Sequence, residues 1–246
     1  MPQEVRKGLE GVVVAESALS AIDGDAGRLV YRGYAIEELA AGASYDEVLY
    51  LLWHGELPDA EELSAFEAEM AAERTVDDDV LALVADLVAA DERPMAALRT
   101  AVSMLSAYEP ERESEPADVD AALRKGRRVT AKMPTVLAAL ERLRRGEEPV
   151  APREDLGHAE NFLYMLDGEV PGEVAAEALD QALILHADHG LNASTFTAMV
   201  VASTLADIYN AVTAGVAALS GSLHGGANQD VMEMLVDIDD SGRDPV

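Results

Sequence analysis

The sequence predicts an all-α protein with one short extended segment near its N-terminal end. Three observations carry that expectation. From Ile36 onward, apolar residues recur at helical spacing in one segment after another. Those segments open on Ser, Asp, Asn or Pro and close on Gly or Pro, which is the chemistry of helix ends. Strand-type patterning is confined to the residues before Ile36.

The elements follow in order. GLEGVVVAESALSAIDGDAGRLVYRGYAIEELA begins with the run Val12–Val14, turns at DGDAG (23–27) and extends through RLVYRG, so a small hairpin is expected. Ser44 precedes YDEVLYLLWHG with Glu47 three residues on, a capping box, and Gly55 ends the segment. Pro58 and Asp59 start AEELSAFEAEMAAER, Asp77–Asp79 start VLALVADLVAA, and Arg93-Pro94 breaks the chain before MAALRTAVSMLSAY. EPERESEPADVD (109–120) has prolines, acids and no apolar anchor, and is expected to loop over the surface. Positive charge concentrates only in the next segment, LRKGRRVTAKMPTVLAALERLRRG. Four more helical segments follow: APREDLGHAENFLYML, PGEVAAEALDQALILHADHG, NASTFTAMVVASTLA and DIYNAVTAGVAALSG. The closing VDIDDSGRDPV is polar, caps nothing, and reads as an interruption shortly after a helix has begun a new unit.

Composition narrows the functional classes. A chain of 246 residues can bury one large core or two modest ones. Asp+Glu number 47 against 18 Lys+Arg, a formal charge of −29, which repels phosphate backbones and anionic membranes. Nucleic acid and membrane partners are therefore not expected. With 49% hydrophobic residues the acidity does not signal disorder and must lie on a folded surface. Lysine occurs only at Lys7, Lys125 and Lys132. Acid excess with scarce lysine fits adaptation to a salt-rich cytoplasm, the alternatives being an ordinary acidic enzyme or one that meets a basic partner. The absence of cysteine excludes disulfides, thiolate metal sites and a cysteine nucleophile. The N-terminal residues lack the apolar core of a signal peptide, and the longest apolar region (193–222) is interrupted by Asp207 and Asn210. A cytoplasmic location is expected.

Five histidines could carry chemistry. His54 sits near a helix end, and His158 near a helix start; both read as structural. His186 and His189 are spaced i,i+3 with Asp188 between them, a legal metal-ligand spacing, but no partner motif supplies further ligands and no metal is expected. The competing reading of LHADHGLNAST places His189 at a helix C-terminus, Gly190 just past it and Asn192 as the cap of the next helix. Such a junction serves either structure alone or the binding of a small carboxylate. In SGSLHGGANQDVMEML, small residues clear the backbone around His224 at the start of a helix. The positive end of that helix favours a neutral ring, which can donate a hydrogen bond to a carbonyl oxygen as it becomes an enolate. An esterase oxyanion loop is excluded, because no G-x-S-x-G occurs.

HADHGLNASTFTA followed by SGSLHGGANQDVMEML closely resembles citrate synthase. The segments GLEGVVVAES…IDGDAGRLVYRGYAIEELA, RVTAKMPTVLAAL and NFLYMLDGEVP fall in the family's order, so the resemblance covers essentially the whole chain. It implies the citrate synthase fold, with a large helical domain over residues 1–223 and the beginning of a small closing domain over 224–246. It implies condensation of acetyl-CoA with oxaloacetate to citrate and CoA, the entry to the tricarboxylic acid cycle, by a homodimer needing no cofactor beyond acetyl-CoA as substrate. On that resemblance His224 is the catalytic histidine that hydrogen-bonds the thioester carbonyl. His189 is the oxaloacetate-binding histidine, and Asn192 lies in the same substrate-binding loop. The family's second catalytic histidine, its catalytic aspartate and its oxaloacetate-binding arginines are not matched within these residues. The 246 residues alone are therefore expected to be inactive, and the acidic composition suggests a halophilic archaeal source. Two other readings remain: 2-methylcitrate synthase using propionyl-CoA, and a helical scaffold without activity.

Overall fold

A computed structural model describes residues 15–115 and 117–241. The run Val12–Val14 lies outside the described residues. The hairpin is present as β1 (Ser20–Asp23) and β2 (Arg28–Tyr31), antiparallel with Ser20 opposite Tyr31, and β3 (Tyr34–Ala35) adds a third short strand. Gly27 and Gly33 adopt left-handed φ at the two turns, a conformation that costs glycine little.

The helices are α1 (Ile36–Gly42), α2 (Tyr45–His54), α3 (Ala60–Ala72), α4 (Asp78–Ala89), α5 (Pro94–Leu105), α6 (Val119–Arg144), α7 (His158–Asp167), α8 (Glu173–His186), α9 (Ala193–Ala202), α10 (Ile208–Leu219) and α11 (Gly226–Ser241). Local chemistry sets their ends. Ser44 and Asp59 form reciprocal capping boxes with Glu47 and Glu62, and Asp77 and Asp118 cap α4 and α6. Gly55 and Gly168 close α2 and α7 in the left-handed conformation. No helix among the described residues is long and apolar enough to cross a membrane.

Two apolar clusters position the site. In one, α4, α5, α6 and α10 pack Val80, Val84, Leu98, Val102, Val136, Leu140 and Val216 together. In the other, Tyr31 of β2 joins Leu39, Val48, Leu51 and Ile184, tying the hairpin to α1, α2 and the end of α8.

The acidic linker departs from expectation in one respect. Glu109 is buried, held by the Arg128 guanidinium at 2.7 Å and by the Tyr209 hydroxyl, which donates to it at 2.5 Å. Arg124 and Arg128 also grip Glu111 at 2.7 Å. The basic cluster of α6 thus anchors the linker by charge where apolar residues are missing.

Candidate functional site

The site is built where α8 ends and α9 begins, against the C-terminal end of α10. α8 stops at His186 with Ala187 as its C-cap, so His189 stands in the connecting loop and not on the helix. The i,i+3 metal spacing therefore does not exist in the fold. The His186 ring instead places Nδ1 2.6 Å from the Ala182 carbonyl oxygen. Among the described residues no group of three or more His, Asp or Glu side chains could hold a metal ion.

Asn192 caps α9 as its position suggests. Its Oδ1 accepts from the Ser194 and Thr195 backbone N–H groups at 2.8 and 3.1 Å, and its Nδ2 donates to Thr195 Oγ1 at 3.1 Å. Gly190 takes a left-handed φ of 61° between the two, which lets the loop reverse within a few residues.

The segment SGSLHGG forms a tight turn after α10. The His224 N–H donates to the Gly221 carbonyl at 2.9 Å and the Gly225 N–H to the Leu219 carbonyl at 3.0 Å. Gly225 is required by space: a Cβ there would stand 2.5 Å from the Leu219 carbonyl oxygen. Gly225 thus folds the chain closely after α10, and the half-buried His224 faces α9.

His224 Nε2 lies 2.9 Å from Ser194 Oγ, a contact across 30 residues that the sequence pattern did not reveal. Ser194 was legible only as part of the α9 start. With Nε2 engaged by a hydroxyl, Nδ1 is the nitrogen left for a ligand. His186, His189, Asn192, Ser194, Thr195 and His224 all line one open cleft of about 570 Å³, whose floor is Ala198, Val212, Gly215, Val216 and Leu219. Three imidazoles, an amide and two hydroxyls over an apolar floor can bind a small molecule rich in carbonyl or carboxylate oxygens. Among the described residues no acidic side chain lines it.

The other two histidines lie elsewhere. His54 stacks on Tyr50, ring centroids 4.2 Å apart. His158 is buried at the start of α7 beside Tyr45, and burial with the nearby Arg74 charge pushes its imidazole down to about 4. Neither lines the cleft that holds His189 and His224.

Comparison with known proteins places this geometry in a family. The sequence model described as "Citrate synthase, C-terminal domain" matches residues 8–245. The chain belongs to the citrate synthase family. It is 62% identical over 246 residues to the citrate synthase of Haloferax volcanii, covering 100% of this chain and 65% of that protein. Among solved structures, the citrate synthase of Pyrobaculum aerophilum superposes with a TM-score of 0.88 at 43% identity, covering 94% of this chain and 59% of that one. A ternary complex of Thermoplasma acidophilum citrate synthase with carboxymethyl coenzyme A and oxaloacetate gives a TM-score of 0.89 at 30% identity, covering 98% and 62%. The citrate synthase fold inferred from the sequence is thus the fold observed, and the chain spans under two thirds of the length of these relatives.

Proposed function

We propose that the protein condenses acetyl-CoA with oxaloacetate, giving citrate and CoA, and that His189, Asn192 and His224 of this chain carry the substrate contacts. The observation behind this is the convergence of all three on one cleft, with Ser194 holding the His224 ring at 2.9 Å. In this reading His189 and Asn192 donate to the oxygens of oxaloacetate. The Ser194 hydroxyl donates to His224 Nε2, which leaves the ring proton on Nδ1. From there it hydrogen-bonds the thioester carbonyl and stabilises the enol as the methyl proton departs.

The proton needs a base and the dicarboxylate needs cationic partners, yet among the described residues no Asp, Glu, Lys or Arg lines the cleft. We assign both to the third or more of the relatives' length that this chain does not span. By the same division, residues 1–223 form the large domain and 224–246 open a small one that closes over the substrates.

A homodimer completes the proposal. α9 has no fully buried residue although it is largely apolar; Met199 and Val200 on it and Leu191 and Leu205 at its two ends stand exposed. A second copy covering that surface would remove it from water. The charge of −29 supports work in a concentrated-salt cytoplasm.

The experiment is CoA release from acetyl-CoA plus oxaloacetate by the full-length protein in concentrated KCl. His224→Ala should lower turnover by roughly 10²–10³-fold, the usual loss of an oxyanion donor, with oxaloacetate affinity little changed. Unchanged turnover refutes the role of His224. Faster turnover with propionyl-CoA than with acetyl-CoA would assign the protein to 2-methylcitrate synthesis instead.

A further inference from the structure

We propose that the N-terminal hairpin belongs to the site: Ser20 and Tyr31 act through Asp188 as positioning residues that hold the His189 loop ready for substrate. The inference rests on reading His189 as the oxaloacetate ligand.

The register of the hairpin supplies the first step. Ser20 and Tyr31 are direct cross-strand partners, so both side chains leave the same face of the β1–β2 pair. Both reach the same residue of the α8–α9 loop. The Ser20 hydroxyl donates to Asp188 Oδ1. The Asp188 N–H donates to the Tyr31 hydroxyl at 3.2 Å, and that hydroxyl lies 3.1 Å from the Asp188 carbonyl oxygen and 3.4 Å from that of Leu185.

Asp188 passes the constraint across His189. The Oδ1 that accepts the Ser20 hydroxyl hydrogen bond also accepts the Gly190 N–H at 2.9 Å. The residue before His189 is therefore fixed by the hairpin through its backbone and its side chain, and the residue after it is fixed by that same carboxylate. The anchor itself does not give. Tyr31 is 0% exposed and packs with Leu51 and Ile184, whereas His189 is exposed. An exposed loop histidine would otherwise have to be ordered by each incoming substrate, at a cost in affinity that a pre-set loop avoids. The hairpin contributes no residue to the lining of the cleft, and its effect is confined to where the His189 backbone sits.

The test uses the full-length protein in concentrated KCl, measuring oxaloacetate binding by calorimetry together with kcat and both KM values. Ser20→Ala removes one charge-assisted hydrogen bond from the loop and should raise the Kd and KM for oxaloacetate by about tenfold. The KM for acetyl-CoA should move less than about twofold, and Ser20→Thr, which keeps the hydroxyl, should restore most of the affinity. Tyr31→Phe, which preserves the packing, should raise the oxaloacetate KM in the same direction and serves if Ser20→Ala does not fold. A lowered melting temperature with unchanged oxaloacetate affinity, or an equal rise in both KM values, overturns the inference. His189→Ala is measured alongside. If it weakens oxaloacetate binding while the hairpin variants do not, the hairpin inference alone falls. If it leaves binding unaltered, the reading of the site falls and takes the inference with it.

Discussion

Asp46 and His158 make opposing demands on acid stability, and separating them tests the electrostatics of the interior. Asp46 lies buried in the first turn of α2, and burial pushes its carboxyl up to about 6, against the opposing pull of Arg74 and with Glu67 and Asp180 adding to the rise. His158, buried at the start of α7, is pushed down to about 4 from 6.5 by burial and then by Arg74. For the histidine, the unfolded chain holds the extra proton between 6.5 and about 4, so stability is lost as pH falls through that window. For the aspartate, the folded chain holds it between about 6 and 3.8, so stability is gained as pH falls. The windows nearly coincide and the signs oppose.

At 1.36 kcal/mol per unit, going from pH 7 to pH 5 costs about 2 kcal/mol through His158 and returns about 1 kcal/mol through Asp46. Asp46→Asn leaves the histidine uncompensated and should steepen the acid loss. His158→Gln leaves the aspartate, so this variant should gain on the wild type by about 2 kcal/mol over the same interval. Urea unfolding at the two pH values in constant KCl reads both differences, and the many surface carboxylates cancel because every variant shares them. Variants whose stability stays parallel to the wild type between pH 7 and pH 5 would refute the assignment of these shifts to the two buried groups.

Three further outcomes follow from the site and the surface. Gly225→Ala should cost about 1–3 kcal/mol in unfolding, because its Cβ meets a backbone carbonyl oxygen at 2.5 Å. Displacing His224 by about 1 Å should lower turnover roughly 10²-fold; full activity in Gly225→Ala would show that the turn does not set the ring. Ser194→Ala removes the hydroxyl on His224 Nε2 and should lower kcat about tenfold with little change in the KM for oxaloacetate, and an unchanged kcat would detach Ser194 from the reaction. The melting temperature should rise by several degrees from about 0.1 M to about 1 M KCl, as the Debye length shrinks from ~10 to ~3 Å around a chain of charge −29. A salt-indifferent melting curve would remove the case for a salt-adapted surface.

What the sequence revealed was what local chemistry decides. Ser44, Asp59, Asp77 and Asn192 are legible as caps because each bonds an amide two or three residues away. Contacts across 30 residues at Ser194–His224, or 168 at Ser20–Asp188, leave no periodic trace, and only the folded chain brings them together. The apparent His186–His189 face failed for a physical reason. The Asp188 N–H is taken by Tyr31 and its carboxylate by Ser20 and Gly190, a side-chain-to-backbone alternative that competes with another turn of helix. The acidic linker misled similarly, since its anchor is the α6 guanidinium of Arg128 and not an apolar residue.

The charge of the chain also bears on how the cleft works. If oxaloacetate is the substrate, as proposed, a chain of −29 repels that dianion at long range, and salt screening weakens the repulsion without reversing it. On that reading attraction must be local, at the cleft. Among the described residues its polar lining is three histidines, one asparagine, one serine and one threonine, side chains that carry hydrogen-bond donors, with no carboxylate among them. Carboxylates crowd the rest of the surface, so this lining, as far as the described residues show it, differs electrostatically from the body that carries it. An acid introduced at Thr195 or Ala198 would cancel that difference. It should weaken oxaloacetate binding far more than it disturbs folding, since both positions are only partly buried.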